Sequence, residues 1–242
     1  HVFKNRCPHR GMKLSLGTKV GDCVRCPYHG MEFNVVDGEL EYFMNGIYDE
    51  RLFHSNLRVF DSLVHDNLLW AYVGGGESPE FKVGELSKFT DESDYNSIYG
   101  QCDIDACVYD LADNLLDNIH ISYVHSFGNM EDPEPVNVMR SPHERGNYFL
   151  YKPSKTAIGS VMGNDLPVTV FNCFMEPFSM MSKVTFGKGN VKIVRVHLLP
   201  LSENKTRMFW GLHRNFLKHP ILDSVFRYFM DTTIKEDQDI LK

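Results

Sequence analysis

Cys7-Pro8-His9-Arg10-Gly11 and Cys26-Pro27-Tyr28-His29-Gly30, with sixteen residues between His9 and Cys26, decide how the first third of this 242-residue chain is read. Each stretch carries one thiol and one imidazole a residue or two apart, and each continues into a glycine. Together they offer two soft thiolates and two imidazoles. That donor set suits either a zinc ion or a [2Fe–2S] cluster in which two histidines replace two cysteines on one iron. Zinc ribbons usually present C-x2-C knuckles, and Cys23-x2-Cys26 forms one, so zinc stands as the alternative. The pairing of C-x-H with C-x2-H favours the cluster. Gly11 and Gly30 let the backbone pass close to the cluster sulfurs.

Around these loops the residues read as short strands broken by turns. Cys23-Val24-Arg25-Cys26 lies between Gly21 and the Pro27–Gly30 turn, and Glu32–Val36 leads into the Asp37-Gly38 hairpin signal. Further strands are expected around Leu57–Phe60 and Leu68–Val73. Residues 1–73 are therefore expected to form a small all-β domain. Gly74-Gly75-Gly76 followed by Ser78-Pro79 opens a linker over 74–97, and 98–242 forms a second domain. There Val168–Met175 and Ser182–Phe186 read as strands, and Val191–Leu201 and Thr206–Phe216 as a hairpin around Ser202-Glu203-Asn204-Lys205. From Pro220 on, Leu222, Val225, Phe226, Phe229 and Met230 recur at helical spacing. The fold class is α+β, with a mostly antiparallel sheet covered by helices.

Composition narrows the function. Apolar residues at 43% and charged residues at 24% describe an ordinary globular protein and exclude wholesale disorder. A net charge of −7 without a dense Lys/Arg stripe argues against nucleic acid or an anionic membrane as partner. No apolar run approaches the 18 or so residues that a membrane span needs, and no secretory leader is expected. Three of the six cysteines crowd into the first 26 residues beside His9 and His29, which points to metal rather than disulfides and to the cytoplasm. Cys102, Cys107 and Cys173 read as small buried hydrophobes. His54, His65, His143, His197, His213 and His219 lack partners at ligand spacing and read as surface or strand residues, and Asp91–Asp94 as a solvated turn. The chain opens at His1 rather than Met, so a segment of a longer protein, lacking both ends, is the expectation.

A second constellation lies in Asp113-Asn114-Leu115-Leu116-Asp117-Asn118-Ile119-His120-Ile121-Ser122-Tyr123-Val124-His125, within a stretch, Asp110–Val124, of helical composition. Two histidines and an acid buried unpaired in an apolar helix would be costly. On an ideal helix, residues five apart diverge by about 140°. His120 and His125 therefore converge on one metal only if the helix ends or carries a π-bulge between them. Two histidines and one carboxylate form the facial triad of non-heme Fe(II) oxygenases. Helical phase locates the carboxylate. Asp237, seven residues beyond Met230, falls about 20° from the same face, whereas Asp239 and Glu236 do not. If the helix breaks near Thr232-Thr233, Asp239 takes its place.

The two cluster loops resemble those of Rieske-type non-heme iron aromatic-ring oxygenases, and Asn114-x2-Asp117-x2-His120-x4-His125 with Glu236-Asp237 resembles the family's iron-site motif. The loops lack the extra cysteines of respiratory Rieske proteins, and Met31 stands where the oxygenases often carry an aromatic residue. The strands that normally precede the first loop are missing. The resemblance implies a helix-grip catalytic domain after the Rieske domain. It assigns Cys7, His9, Cys26 and His29 to the [2Fe–2S] cluster, and His120, His125 and Asp237 to a mononuclear Fe(II). Asp117 becomes the acid that bridges the two centres, accepting from the far ring nitrogen of His120 and contacting His29 of a neighbouring subunit in a head-to-tail trimer. Asn114 lies near the iron without being a firm ligand. The implied activity is that of a terminal oxygenase, closest to vanillate-demethylase-like members. It uses O2 and electrons from NAD(P)H, through a reductase or ferredoxin, to hydroxylate or O-demethylate a small aromatic substrate. A ring cis-dihydroxylase and a Rieske electron carrier without oxygenase activity are the alternatives.

Overall fold

The computed structural model describes residues 1–43, 55–74, 94–125, 134–140, 144–151, 168–176 and 178–241. His54, His143, Asp91–Ser93 and most of the 74–97 linker lie outside the described residues. The chain divides into two compact units, His1–Phe81 and Lys82–Lys242.

In the first unit, β1 (Val2–Phe3) pairs with β6 (Val59–Phe60). The strands β2 (Thr18–Val20), β3 (Cys23–Arg25), β4 (Glu32–Asn34) and β5 (Leu40–Tyr42) form an antiparallel sheet in sequence order. The β4–β5 turn needs its glycine: Gly38 has φ +82°, and a Cβ there would lie 2.1 Å from the Leu57 carbonyl oxygen. A hairpin of β7 (Ser62–His65) and β8 (Leu68–Ala71) follows, its two turn residues Asp66 and Asn67 both at positive φ, as a type I′ turn requires. Leu14, Met31, Phe33 and Leu57 pack around the buried Cys7 and Cys26.

The second unit is built on a seven-stranded antiparallel sheet. Its strands are β9 (Asn96–Ile104), β10 (Glu134–Arg140), β11 (Glu144–Tyr151), β12 (Val168–Met175), β13 (Ser179–Thr185), β14 (Val191–Ser202) and β15 (Lys205–Arg214), in the order β10-β11-β12-β13-β14-β15-β9. Three of them, β9, β10 and β11, are absent from the sequence reading. Gly100 lies opposite Trp210, and a Cβ on it would come within 2.3 Å of that indole. Helix α1 (Val108–Leu116) packs against β12, β13 and β14. Leu111 and Ala112 of α1 join Val196, Trp210 and Leu212 in the largest core, together with Ile234 of the long C-terminal helix α3 (Asp223–Ile240). Between them lies α2, the single turn Ile121–Val124.

Two expectations about helices change. The helix expected over Asp110–Val124 stops at Leu116, because Asp117 is extended (φ −73°, ψ 117°), and it restarts at His120. On α3, Val225 and Phe229 are exposed; the buried stripe is narrower and runs through Phe226 and Met230 to Ile234 and Asp237. Cys173 is buried, whereas Cys102 and Cys107 are only half-buried. His197 and His213 are buried strand residues, bonded to Ser179 and Ser97. Among the described residues no helix is long and apolar enough to cross a membrane.

Candidate metal centres

The two loops of the first unit are built alike. The Cys7 N–H donates to the Met12 carbonyl (2.8 Å) and the Gly11 N–H to the Cys7 carbonyl (2.9 Å); Cys26, Met31 and Gly30 repeat the pattern at 2.8 and 3.0 Å. Both glycines sit in the left-handed region, at φ +74° and +70°, which lets each loop turn tightly behind its cysteine. The thiols are buried and the imidazoles only half-buried, so the four groups gather as two pairs. Burial pushes the Cys7 thiol up, and the neighbouring Cys26 thiol adds to the effect. The His9 and His29 rings lie 4.8 Å apart, with the exposed Tyr28 ring 3.8 Å from His29. Burial, then the charge of His29, holds His9 below the ordinary imidazole range.

A thiol pair beside an imidazole pair suits a binuclear cluster with two ligands on each iron. The buried His9 Nδ1 has no hydrogen-bond partner, an orphaned donor atom that a metal would satisfy. A single zinc ion would need four donors around one point, and among the described residues no group of three or more includes these four. Cys23, the other half of the zinc knuckle, interacts with Glu41 instead; burial first, and that carboxylate next, raise its thiol. Met31 is buried and packs in the same core as Cys7 and Cys26.

In the second unit the structure brings together residues more than a hundred positions apart. His120 Nε2 and His125 Nε2 each lie 3.5 Å from Asp237 Oδ1, and one donor atom from each of the three residues lies within 4.8 Å of the others. The break after α1 makes this possible: His120 caps the start of α2 and His125 its end, so their rings meet at 5.2 Å instead of diverging. Helix α3 runs unbroken past Thr232-Thr233, whose hydroxyls donate back to the Tyr228 and Phe229 carbonyls. Asp237 is 5% exposed and Asp239 lies on the outer face. Asn114 Nδ2 donates to Asp237 Oδ1 at 3.2 Å. Burial would push His120 down, but hydrogen bonding and charge from Asp237 outweigh it, and the imidazole stays above its usual range. Two imidazole Nε2 atoms facing one buried carboxylate, with no neutralising Lys or Arg described among them, fit a divalent cation.

Two partners of this group differ from the sequence reading. The His125 Nδ1–H donates to Glu236 Oε2 at 3.0 Å, a carboxylate that fixes the tautomer and turns Nε2 toward Asp237. Helical phase set Glu236 aside because it turns away from the core; its position beside Asp237 was the signal for a role at the site. Asp117 does not share a helix with His120, although its charge and its backbone both act to raise that imidazole. It is exposed, and its Oδ1 accepts from the Ile119 N–H at 2.7 Å, closing the turn between the helices. The buried Nδ1 of His120 makes no well-formed hydrogen bond.

A cysteine-and-histidine β domain followed by a sheet-and-helix domain with a two-histidine, one-carboxylate group defines a Rieske non-heme iron oxygenase. Family comparison agrees: residues 1–45 match the Rieske [2Fe-2S] domain, and residues 104–242 match the vanillate O-demethylase oxygenase C-terminal domain. The chain belongs to the vanillate O-demethylase oxygenase family. It is 27% identical to the oxygenase component of dicamba O-demethylase from Stenotrophomonas maltophilia, over 98% of this chain and 74% of that protein. Half of the chain is 33% identical to 34% of the oxygenase component of chloroacetanilide N-alkylformylase from Rhizorhabdus wittichii. The fold matches the crystal structure of dicamba monooxygenase bound to dicamba with a TM-score of 0.74, at 23% identity over 99% of this chain and 74% of that one. The chain is thus the oxygenase component of a multicomponent system. The family's cofactors are a Rieske cluster, a mononuclear iron, O2 and NAD(P)H acting through a partner.

Proposed function

We propose that His120, His125 and Asp237 hold the mononuclear Fe(II), that Cys7, His9, Cys26 and His29 hold the [2Fe–2S] cluster, and that the enzyme O-demethylates or hydroxylates a small aromatic acid. When bound, the cluster supplies electrons one at a time and the iron supplies open positions for O2. The convergence of His120, His125 and Asp237 carries this reading. Around that group, Asn114 donates to Asp237 and Glu236 orients His125.

Asp117 stands exposed at the α1–α2 break, next to exposed Ile119 and near exposed Tyr123. This suits an acid that meets His29 of a neighbouring copy in a head-to-tail trimer, the ring closing as heterologous contacts require. A reductase or ferredoxin delivers the electrons, in the cytoplasm. The relatives' names support the substrate class: one O-demethylates dicamba and another acts on chloroacetanilides.

The test is turnover of the system, reconstituted with NAD(P)H and a reductase, on a panel of methoxylated and unsubstituted aromatic acids. Formaldehyde in step with O2 uptake from the methoxylated acids is expected. Ring cis-diols without formaldehyde, or no oxygenation at all, would contradict the reading. Asp117→Asn should keep both metals and the trimer while nearly stopping cluster oxidation by O2; native turnover, or full activity in a monomer, would refute the bridging role.

A further inference from the structure

We infer that Asn118, held by Asn172, Asn147 and Tyr151, is a positioning residue that sets the α1–α2 break and thereby aims His120 at Asp237. The inference rests on the ligand assignment proposed above and concerns what holds that geometry in place.

Asn118 is 1% exposed, in the three-residue interruption Asp117-Asn118-Ile119 between the two helices. Its side-chain Oδ1 accepts from Asn172 Nδ2 at 2.8 Å, and its Nδ2 donates to Asn147 Oδ1 at 3.2 Å. Its backbone carbonyl accepts from the Tyr151 hydroxyl at 2.8 Å. Asn147 and Asn172 are cross-strand partners on β11 and β12, so the Asn118 amide bridges one rung of the sheet. Tyr151 is wholly buried, and burial pushes its phenol up, so it stays a donor at any physiological pH.

A helix that simply frayed at Leu116 would leave the carbonyls of its last turn to water. Here the interruption is tied to the sheet through three hydrogen bonds in a dry site, where each partner is costly to leave unpaired. The local Asx turn, Asp117 Oδ1 to the Ile119 N–H, bends the chain. It does not fix the bend relative to the sheet; Asn118 does. His120 follows two residues later; its buried Nδ1 makes no well-formed hydrogen bond, and the ring is drawn toward the Asp117 backbone of the same anchored interruption. Whereas Glu236 orients His125 directly, His120 takes its direction from the backbone that Asn118 anchors.

The test uses the full chain with its cluster loaded and the mononuclear site emptied by a chelator, then titrated with Co(II). Asn118→Leu should bind Co(II) about tenfold or more weakly and shift its visible d–d bands, with cluster absorbance unchanged. Asn118→Leu combined with Asn172→Leu removes both buried amides and should recover stability lost in the single variant, while Co(II) affinity stays low. Native Co(II) affinity and spectrum in either variant would overturn the inference. Should both fail to fold, Tyr151→Phe keeps the packing and removes only the hydroxyl; it should weaken Co(II) binding, and native binding would overturn the inference. His120→Ala, measured alongside, should abolish binding at the site. If it binds Co(II) as the parent does, the ligand assignment falls; if it does not, but Asn118→Leu binds normally, the positioning role alone falls.

Discussion

Removing the carboxylate behind His125 measures how far the protein, rather than the metal, sets the ligand geometry. Glu236 Oε2 accepts from His125 Nδ1 at 3.0 Å, and the two side chains are 23% and 5% exposed. A hydrogen bond to a charged partner contributes about 1.5–3 kcal/mol, and losing a carboxylate behind a metal-bound histidine typically costs about 10–100-fold in metal affinity. Solvent reaches Glu236 and screens part of its charge, so the lower end applies to Glu236→Gln, which keeps an acceptor: about tenfold, or 1.4 kcal/mol. Glu236→Leu, which keeps none, should lie nearer a hundredfold. The assay is Co(II) or Fe(II) titration of protein whose mononuclear site has been emptied, with cluster absorbance and circular dichroism as controls for folding. Native affinity in Glu236→Leu, with both controls unchanged, would refute the reasoning.

The carboxylate assignment separates two acids on one helix: Asp237→Ala should abolish turnover and release the mononuclear iron, whereas Asp239→Ala should retain both, and the reverse pattern in iron analysis and O2 uptake would reassign the ligand. Leu111, 1% exposed beneath the sheet, should cost about 2–5 kcal/mol on replacement by Ala, read as a lower denaturation midpoint at unchanged slope. Burial, followed by the charges of Asp103 and Asp231, pushes the Cys102 thiol up to about 11. The reactive thiolate is thus a minor species at pH 8, and alkylation of Cys102, followed by peptide mapping, should accelerate about tenfold per pH unit until the pH nears that value. Fast labelling of Cys102 at pH 8 would contradict it.

The sequence carried the two metal constellations because their chemistry depends on spacing. Cys7-x-His9 and Cys26-x2-His29 specify two loops whatever surrounds them, and the five-residue gap from His120 to His125 already demanded an interrupted helix. Asp237 was legible as a buried acid because α3 keeps one phase from Met230 to Asp237. Phase also misled: it set Glu236 aside, although a long side chain at the flank of the stripe reaches His125. The hairpin β14–β15 showed its alternation. Strand β9 hid behind Gly100 and Asp103, and β10 is an edge strand carrying Pro135, with Val136 and Val138 turned outward. Asn118 left little trace. Its partners Asn147 and Asn172 sit about 30 and 50 residues downstream, and only Asn172, a lone amide in the apolar run Val168–Met175, marks a buried polar network.

Iron and acid-labile sulfide, counted on the purified chain and on its His120→Ala, His125→Ala and Asp237→Ala variants, test the central claim most directly. The parent should contain about three irons and two sulfides per chain, with the visible spectrum of a Rieske cluster; each variant should fall to about two irons with sulfide and spectrum unchanged. A parent with only about two irons, or variants that lose cluster and mononuclear iron together, would contradict two separate metal centres on this chain.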